Sequence, residues 1–127
     1  MTDITSTINT YISIWNEAVP ERRRALIAEA MTEDTSYVDP LMQGSGPDEF
    51  DALVAGAQAQ FAGHRFVLAG DPDAHHDRVR FTWHLVAPGG DAPVAIGHDY
   101  ATVAGDGRLR DVTGFLEAVP SQPEVGR

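Results

Sequence analysis

The sequence predicts an α+β cone in which three N-terminal helices pack on a curved antiparallel sheet and enclose an apolar pocket. Two observations fix the class. Apolar residues recur every three or four positions as far as Gly63, and from Phe66 onward the period changes to two. A third sets the scale, since 127 residues suit one domain with one core. Residues 1–120 are expected to form that domain, with Ser121 to Arg127 as a frayed tail.

Ile4, Ile8, Tyr11, Ile12 and Trp15 place one apolar stripe on a first helix that ends near Asn16. Pro20 and Glu21 open a second helix, whose inner face is Leu26, Ile27, Ala30 and Met31 and which is expected to end before Asp34. Ser36 to Asp39 is a short β-like stretch stopped by Pro40, and Leu41 to Gly46 reads as a loop. Pro47, Asp48 and Glu49 open a third helix with Phe50, Leu53, Val54, Ala57 and Phe61 on one face and Gly63 at its end. Phe66 to Ala69 starts the sheet. Val79, Phe81, Trp83 and Leu85 alternate with Arg80, Thr82 and His84, and further strands follow at Val94–Val103 and Leu109–Leu116. Gly70 to Asp77, Pro88 to Pro93 and Gly105 to Gly107 read as turns.

Composition removes several function classes. A formal charge of −10 repels phosphate backbones and anionic lipid head groups, which argues against nucleic acid and membrane surfaces as partners. All nine basic residues are arginine, so no lysine is present for a Schiff base, and without cysteine there is no thiol nucleophile, disulfide or thiolate metal site. The N-terminal stretch has no basic cluster ahead of a continuous apolar run, and no apolar run approaches membrane-spanning length. A cytoplasmic location is the expectation.

Three residues stand out as candidates for chemistry. Asp39 follows Tyr37 and Val38 in an apolar segment, where a desolvated carboxylate becomes a competent general base; it is equally a turn initiator before Pro40. Asp99 lies in the middle of the Val94–Val103 strand, where aspartate is disfavoured. Facing inward it can stay protonated and donate a hydrogen bond, whereas facing outward it is a solvated surface group. Tyr11 is a phenol on the buried stripe of the first helix, either a core tyrosine reaching a backbone carbonyl or a donor aimed into the pocket.

Other motifs lead away from chemistry. His75 and His76 lie among aspartates, but neighbouring residues of a strand point to opposite sides, so no metal site is expected. Gly44-Ser45-Gly46 lacks the spacing of a nucleophile elbow, and no glycine-rich turn matches a phosphate loop.

The order of elements, with Val38-Asp39-Pro40, Tyr11-Ile12 leading to Asn16, and Asp99 eight residues before Gly107, resembles the nuclear transport factor 2-like superfamily and its cystatin-like cone. Within it the chain is similar to the ketosteroid isomerases and the SnoaL-like polyketide cyclases, over about Ile4 to Leu116. The resemblance implies Asp39 as general base, with Tyr11 and a protonated Asp99 as the oxyanion donors. It implies a small hydrophobic molecule as substrate, no cofactor, and a homodimer formed through the sheet. Trp15, Phe50, Val54, Phe61, Trp83, His98 and Phe115 are the residues expected to contact that substrate. The alternative is a non-catalytic module of the same shape that binds a hydrophobic ligand or dimerises.

Overall fold

The computed structural model describes residues 3–117, so the expected tail from Ser121 lies outside the described residues. Helices α1 (Ile4–Asn16), α2 (Pro20–Ala30) and α3 (Gly46–Gln60) accompany strands β1 (Met31–Val38), β2 (Gln43–Ser45), β3 (Arg65–His75), β4 (Arg78–Val86), β5 (Pro93–Val103) and β6 (Leu109–Glu117). The strands form one sheet in the order β2-β1-β6-β5-β4-β3. Every neighbouring pair is antiparallel except β1 and β6, which run parallel. The sequence suggests only the antiparallel pairs, because a parallel pair joins segments far apart in the chain; here α3 and four strands make the connection.

Thr7, Ile8, Tyr11, Ile12, Ile14 and Trp15 are the buried residues of α1. The helix is tied at its end to the sheet by Asn16, whose amide donates to the Phe66 carbonyl at 2.8 Å and accepts from the Phe66 N–H at 2.8 Å. Asn16 thus pairs with the backbone of β3 as a neighbouring strand would. Helix α2 ends at Ala30, earlier than the sequence suggests, because the threonine-rich run after Met31 prefers a pleated strand. In β1, Met31, Thr32, Thr35 and Tyr37 are buried.

Two segments read as turns or loops are strand. Gly70 to His75 continues β3, and a register shift between Ala69 and Asp73 absorbs Gly70 and Pro72. A proline is tolerated there because β3 is an edge strand and its missing N–H breaks no essential ladder bond. Gln43 to Ser45 pairs with Ser36 to Val38 as β2, leaving Asp39 to Met42 as the hairpin loop.

Alternation along β4 sends Val79 and Phe81 into the core cluster with Trp83 packed at its edge, and buries Leu85 further along the same face. Tyr11, Trp15, Tyr37, Phe50 and Phe81 form a linked aromatic cluster at its centre, with ring centroids 5.4–6.4 Å apart. Behind it, the buried Arg23 guanidinium donates to Asp51 Oδ1 at 2.6 Å, to the Glu17 carbonyl at 3.1 Å and to Gln58 Oε1 at 3.2 Å. One ion pair thereby joins the end of α1 to α2 and α3. No described helix is long and apolar enough to cross a membrane.

Candidate functional site

Asp39 leaves β1 at the point where the strand turns into the β1–β2 loop. Its Oδ1 accepts the N–H groups of Leu41 at 2.8 Å and Met42 at 3.0 Å, the Asx-type turn its place before proline favours. Its Oδ2 accepts the Tyr37 hydroxyl at 2.6 Å. A carboxylate offers about four acceptor positions, so these three bonds leave one on Oδ2. Tyr37 sits two residues earlier on β1 and therefore on the same face; burial holds its phenol far above the usual tyrosine range, so it remains a donor.

Strand β6 lies between β1 and β5, and its Gly114 pairs with Asp99. A Cβ at position 114 would lie 2.9 Å from Asp99 Oδ1, 3.2 Å from Asp39 Cβ and 3.6 Å from Tyr37 Oη. The missing side chain lets two carboxyls from strands on either side of β6 approach one another.

Asp99 is 2% exposed, and this settles which way β5 faces. Burial pushes its carboxyl up to about 7; the Trp83 indole N–H opposes the rise, the Asp39 carboxylate adds to it, and neighbouring His98 opposes it. Tyr11 is fully buried and its hydroxyl is likewise raised, by burial first and by the nearby Asp99, with the Trp15 indole opposing the rise. Neither Tyr11 Oη nor Asp99 Oδ1 has a hydrogen-bond partner among the described residues. Two orphaned polar atoms in one core are costly unless something completes them.

A cavity of about 80 Å³ opens beside Asp39. Its wall is apolar, built mainly from Trp15, Phe61, Phe66, Trp83, Leu85 and Leu116, with Tyr37 and Asp39 as its polar groups. Asp39 is thus the one charged side chain that the described residues present to it.

The expected contact residues divide into three sets. Trp15, Phe61 and Trp83 line the cavity. Phe50 and Val54 are buried in the core behind it, Phe50 between the rings of Tyr11, Trp15 and Tyr37. His98 and Phe115, paired across β5 and β6, stand on the opposite face of the sheet, since they alternate with the inward Asp99 and Gly114. There His98 bonds Thr82 Oγ1 at 2.9 Å and Glu117 Oε1 at 2.6 Å, while Phe115 is 55% exposed against the edge of Tyr100. Tyr11 and Asp99 lie next to the site but outside the cavity wall.

His75 and His76 lie on the exposed β3–β4 hairpin turn, although their side chains do not point to opposite sides as strand alternation would place them. His76 takes a left-handed backbone (φ 52°) at the β3–β4 turn, which brings the two Nδ1 atoms to 3.1 Å. Among the described residues no three histidine, aspartate or glutamate side chains are grouped to hold a metal ion.

Sequence reasoning missed Tyr37, Phe66, Leu85 and Leu116 in the wall, Gly114 beneath the two carboxyls, and Gly97, on which the Trp83 indole rests. Tyr37 was within reach, because strand alternation puts residues 37 and 39 on one face. The glycines carried no local signal.

No protein-family model matches the chain, and no curated protein matches it. Solved structures do. A SnoaL-like family protein from Agrobacterium tumefaciens str. C58, described as a candidate isomerase, is 46% identical, with a TM-score of 0.86 over 93% of this chain and 100% of that one. A candidate SnoaL-like polyketide cyclase from Jannaschia sp. CCS1 is 17% identical (TM-score 0.67, 92% of this chain, 90% of that one). An NTF2-like protein of unknown function from Exiguobacterium sp. 255-15 is 15% identical (TM-score 0.68, 89% and 99%). The last two share the cone fold alone. Identity at the level of the first, over its whole length, decides the family: the chain belongs to the SnoaL-like family and has its NTF2-like cone fold.

Proposed function

We propose that the chain is a cofactor-independent enzyme of the isomerase or cyclase type that moves a proton beside the carbonyl of a small apolar molecule. Asp39 takes the proton through the remaining acceptor position of Oδ2, and the enolate oxygen that develops accepts hydrogen bonds from Asp99, in its protonated form, and Tyr11. One observation carries the reading: Tyr11 Oη and Asp99 Oδ1 are buried without hydrogen-bond partners among the described residues, and Asp99 stands across Gly114 from Asp39. The description of the Agrobacterium relative as a candidate isomerase supports it.

The test is exchange of the α-protons of cyclopentanone in deuterated buffer, followed by proton NMR. Wild type is expected to accelerate exchange over buffer, and Asp39→Asn to lose at least 100-fold of that acceleration, the lower range for a general base. No acceleration by wild type, or an Asp39→Asn variant as fast as wild type, overturns the proposal.

The alternative, a non-catalytic module for a hydrophobic ligand, draws on the three hydrogen bonds Asp39 already makes, which also close the β1–β2 hairpin. It expects ligand binding that survives Asp39→Asn and no exchange. In either case we propose that two copies associate through the outer face of the sheet, where Val38, Val67, Tyr100 and Phe115 are exposed.

A further inference from the structure

The indole of Trp83 lies flat on Gly97, its partner across β4 and β5. A Cβ at position 97 would overlap Cζ2 and Cε2 of the ring, so this placement exists only because residue 97 has no side chain. The edge of Phe66 holds the indole from the other side, with centroids 5.2 Å apart and planes at 64°, and Phe66 is itself fixed by Asn16. Trp83 is also the residue that connects the two halves of the site. It forms part of the cavity wall, and its N–H acts on Asp99, which lies outside that wall.

The size that remains is small. A cavity of about 80 Å³ is roughly half the 150 Å³ that takes up benzene in an engineered protein core, so a single ring already fills it and projects through its open side. Anything as large as a fused ring system therefore needs the space the indole occupies.

We propose that Trp83, seated on Gly97, is the specificity-determining residue of the cavity: it restricts the occupant to a short-chain or single-ring apolar carbonyl compound and bars fused rings. The inference rests on the cavity being the place where the ligand of the proposed function binds.

Phenol and 2-naphthol are the probes, one ring against two, with binding measured by ligand-observed NMR on wild type, Trp83→Ala and Trp83→Phe. Circular dichroism establishes that each variant is folded. Trp83→Ala is expected to shift the preference for 2-naphthol over phenol at least tenfold relative to wild type. Trp83→Phe keeps a ring against Phe66 and shifts it less in the same direction, which supplies the test should the alanine variant fail to fold. A preference that stays within threefold of wild type overturns the proposal, as does a folded variant that still excludes 2-naphthol. Both probes bind without turnover, so the outcome is independent of proton exchange. A size shift in a protein that exchanges no ketone proton sinks the acid/base reading and leaves the role of Trp83 standing.

Discussion

Asp39 and Asp99 face each other across Gly114, at a position where a single added Cβ would stand 2.9 Å from Asp99 Oδ1 and 3.2 Å from Asp39 Cβ. The two carboxyls have opposite surroundings. Asp39 accepts three hydrogen bonds, whereas Asp99 is enclosed and its Oδ1 has no partner among the described residues. Burial first, and the Asp39 carboxylate in addition, favour the protonated form of Asp99. That division, a base beside an acid, is what the proposed proton transfer requires.

Gly114→Ala tests whether the close approach matters. The new methyl group must displace the enclosed Asp99 carboxyl, the Cβ of Asp39 or strand β6, and overpacking of this kind costs about 1–3 kcal/mol. Urea unfolding should show that loss, and the folded variant should lose at least tenfold in cyclopentanone exchange. Wild-type stability together with wild-type exchange would show that the carboxyls do not act as a pair.

Asp99 makes stability depend on pH in a defined direction. In the unfolded chain its carboxyl gives up its proton near 3.8, while burial in the folded chain delays this to about 7. Between those values the unfolded state binds fewer protons, so folding stability falls as pH rises, then levels off once both states are ionised. The full penalty is on the order of 4 kcal/mol. Asp99→Asn, neutral throughout, should remove it: urea melts at pH 4 and pH 8 should show wild type losing more stability between the two than the variant. Parallel losses would mean that Asp99 does not hold its proton in the folded protein.

The helical half of the fold was legible because its signals are local. The spacing of Ile8, Tyr11, Ile12 and Trp15 states the buried face of α1 directly, and Pro20 and Pro47 mark where the next helices begin. Strand pairing is a long-range property, so neither the parallel β1–β6 contact nor the bulged continuation of β3 through Gly70 and Pro72 could be read. The same division runs through the site. Asp39 and Asp99 were conspicuous as carboxylates in apolar segments, yet what brings them together is a glycine on a third strand. His98 and Phe115 read as pocket residues because the sequence does not fix the registers of β5 and β6, and a one-residue step moves a side chain to the other face.

That other face supports a test of assembly. Phe115, Tyr100, Val38 and Val67 are between 40% and 55% exposed, and the register sets His98 beside Phe115 and Tyr100 beside Thr113, which pairs in turn with Val38. Apolar side chains gathered on an open sheet are a common docking surface. Light scattering at micromolar concentration should give a dimeric mass for wild type and a monomeric one for Phe115→Glu, which puts a charge at the centre of the contact. A monomeric wild type would rule the interface out.

The ion pair behind the core sets the last expectation. Arg23 and Asp51 have side-chain exposures of only 5% and 11%, and the Arg23 guanidinium is held in addition by Glu17 and Gln58, with Gln58 donating in turn to the carbonyls of Trp15 and Glu17. Removing one partner of such a pair leaves a buried charge uncompensated, at a cost of about 3–5 kcal/mol. Asp51→Ala should therefore unfold in markedly less urea than wild type. The double change Arg23→Met with Asp51→Leu removes both charges and keeps apolar volume, so it should recover most of the loss. Because the network fixes the end of α1, which carries Trp15 to the cavity, Asp51→Ala should also weaken phenol binding under conditions where it is still folded. A stable Asp51→Ala protein would mean that Gln58 and the Glu17 carbonyl satisfy Arg23 without its carboxylate.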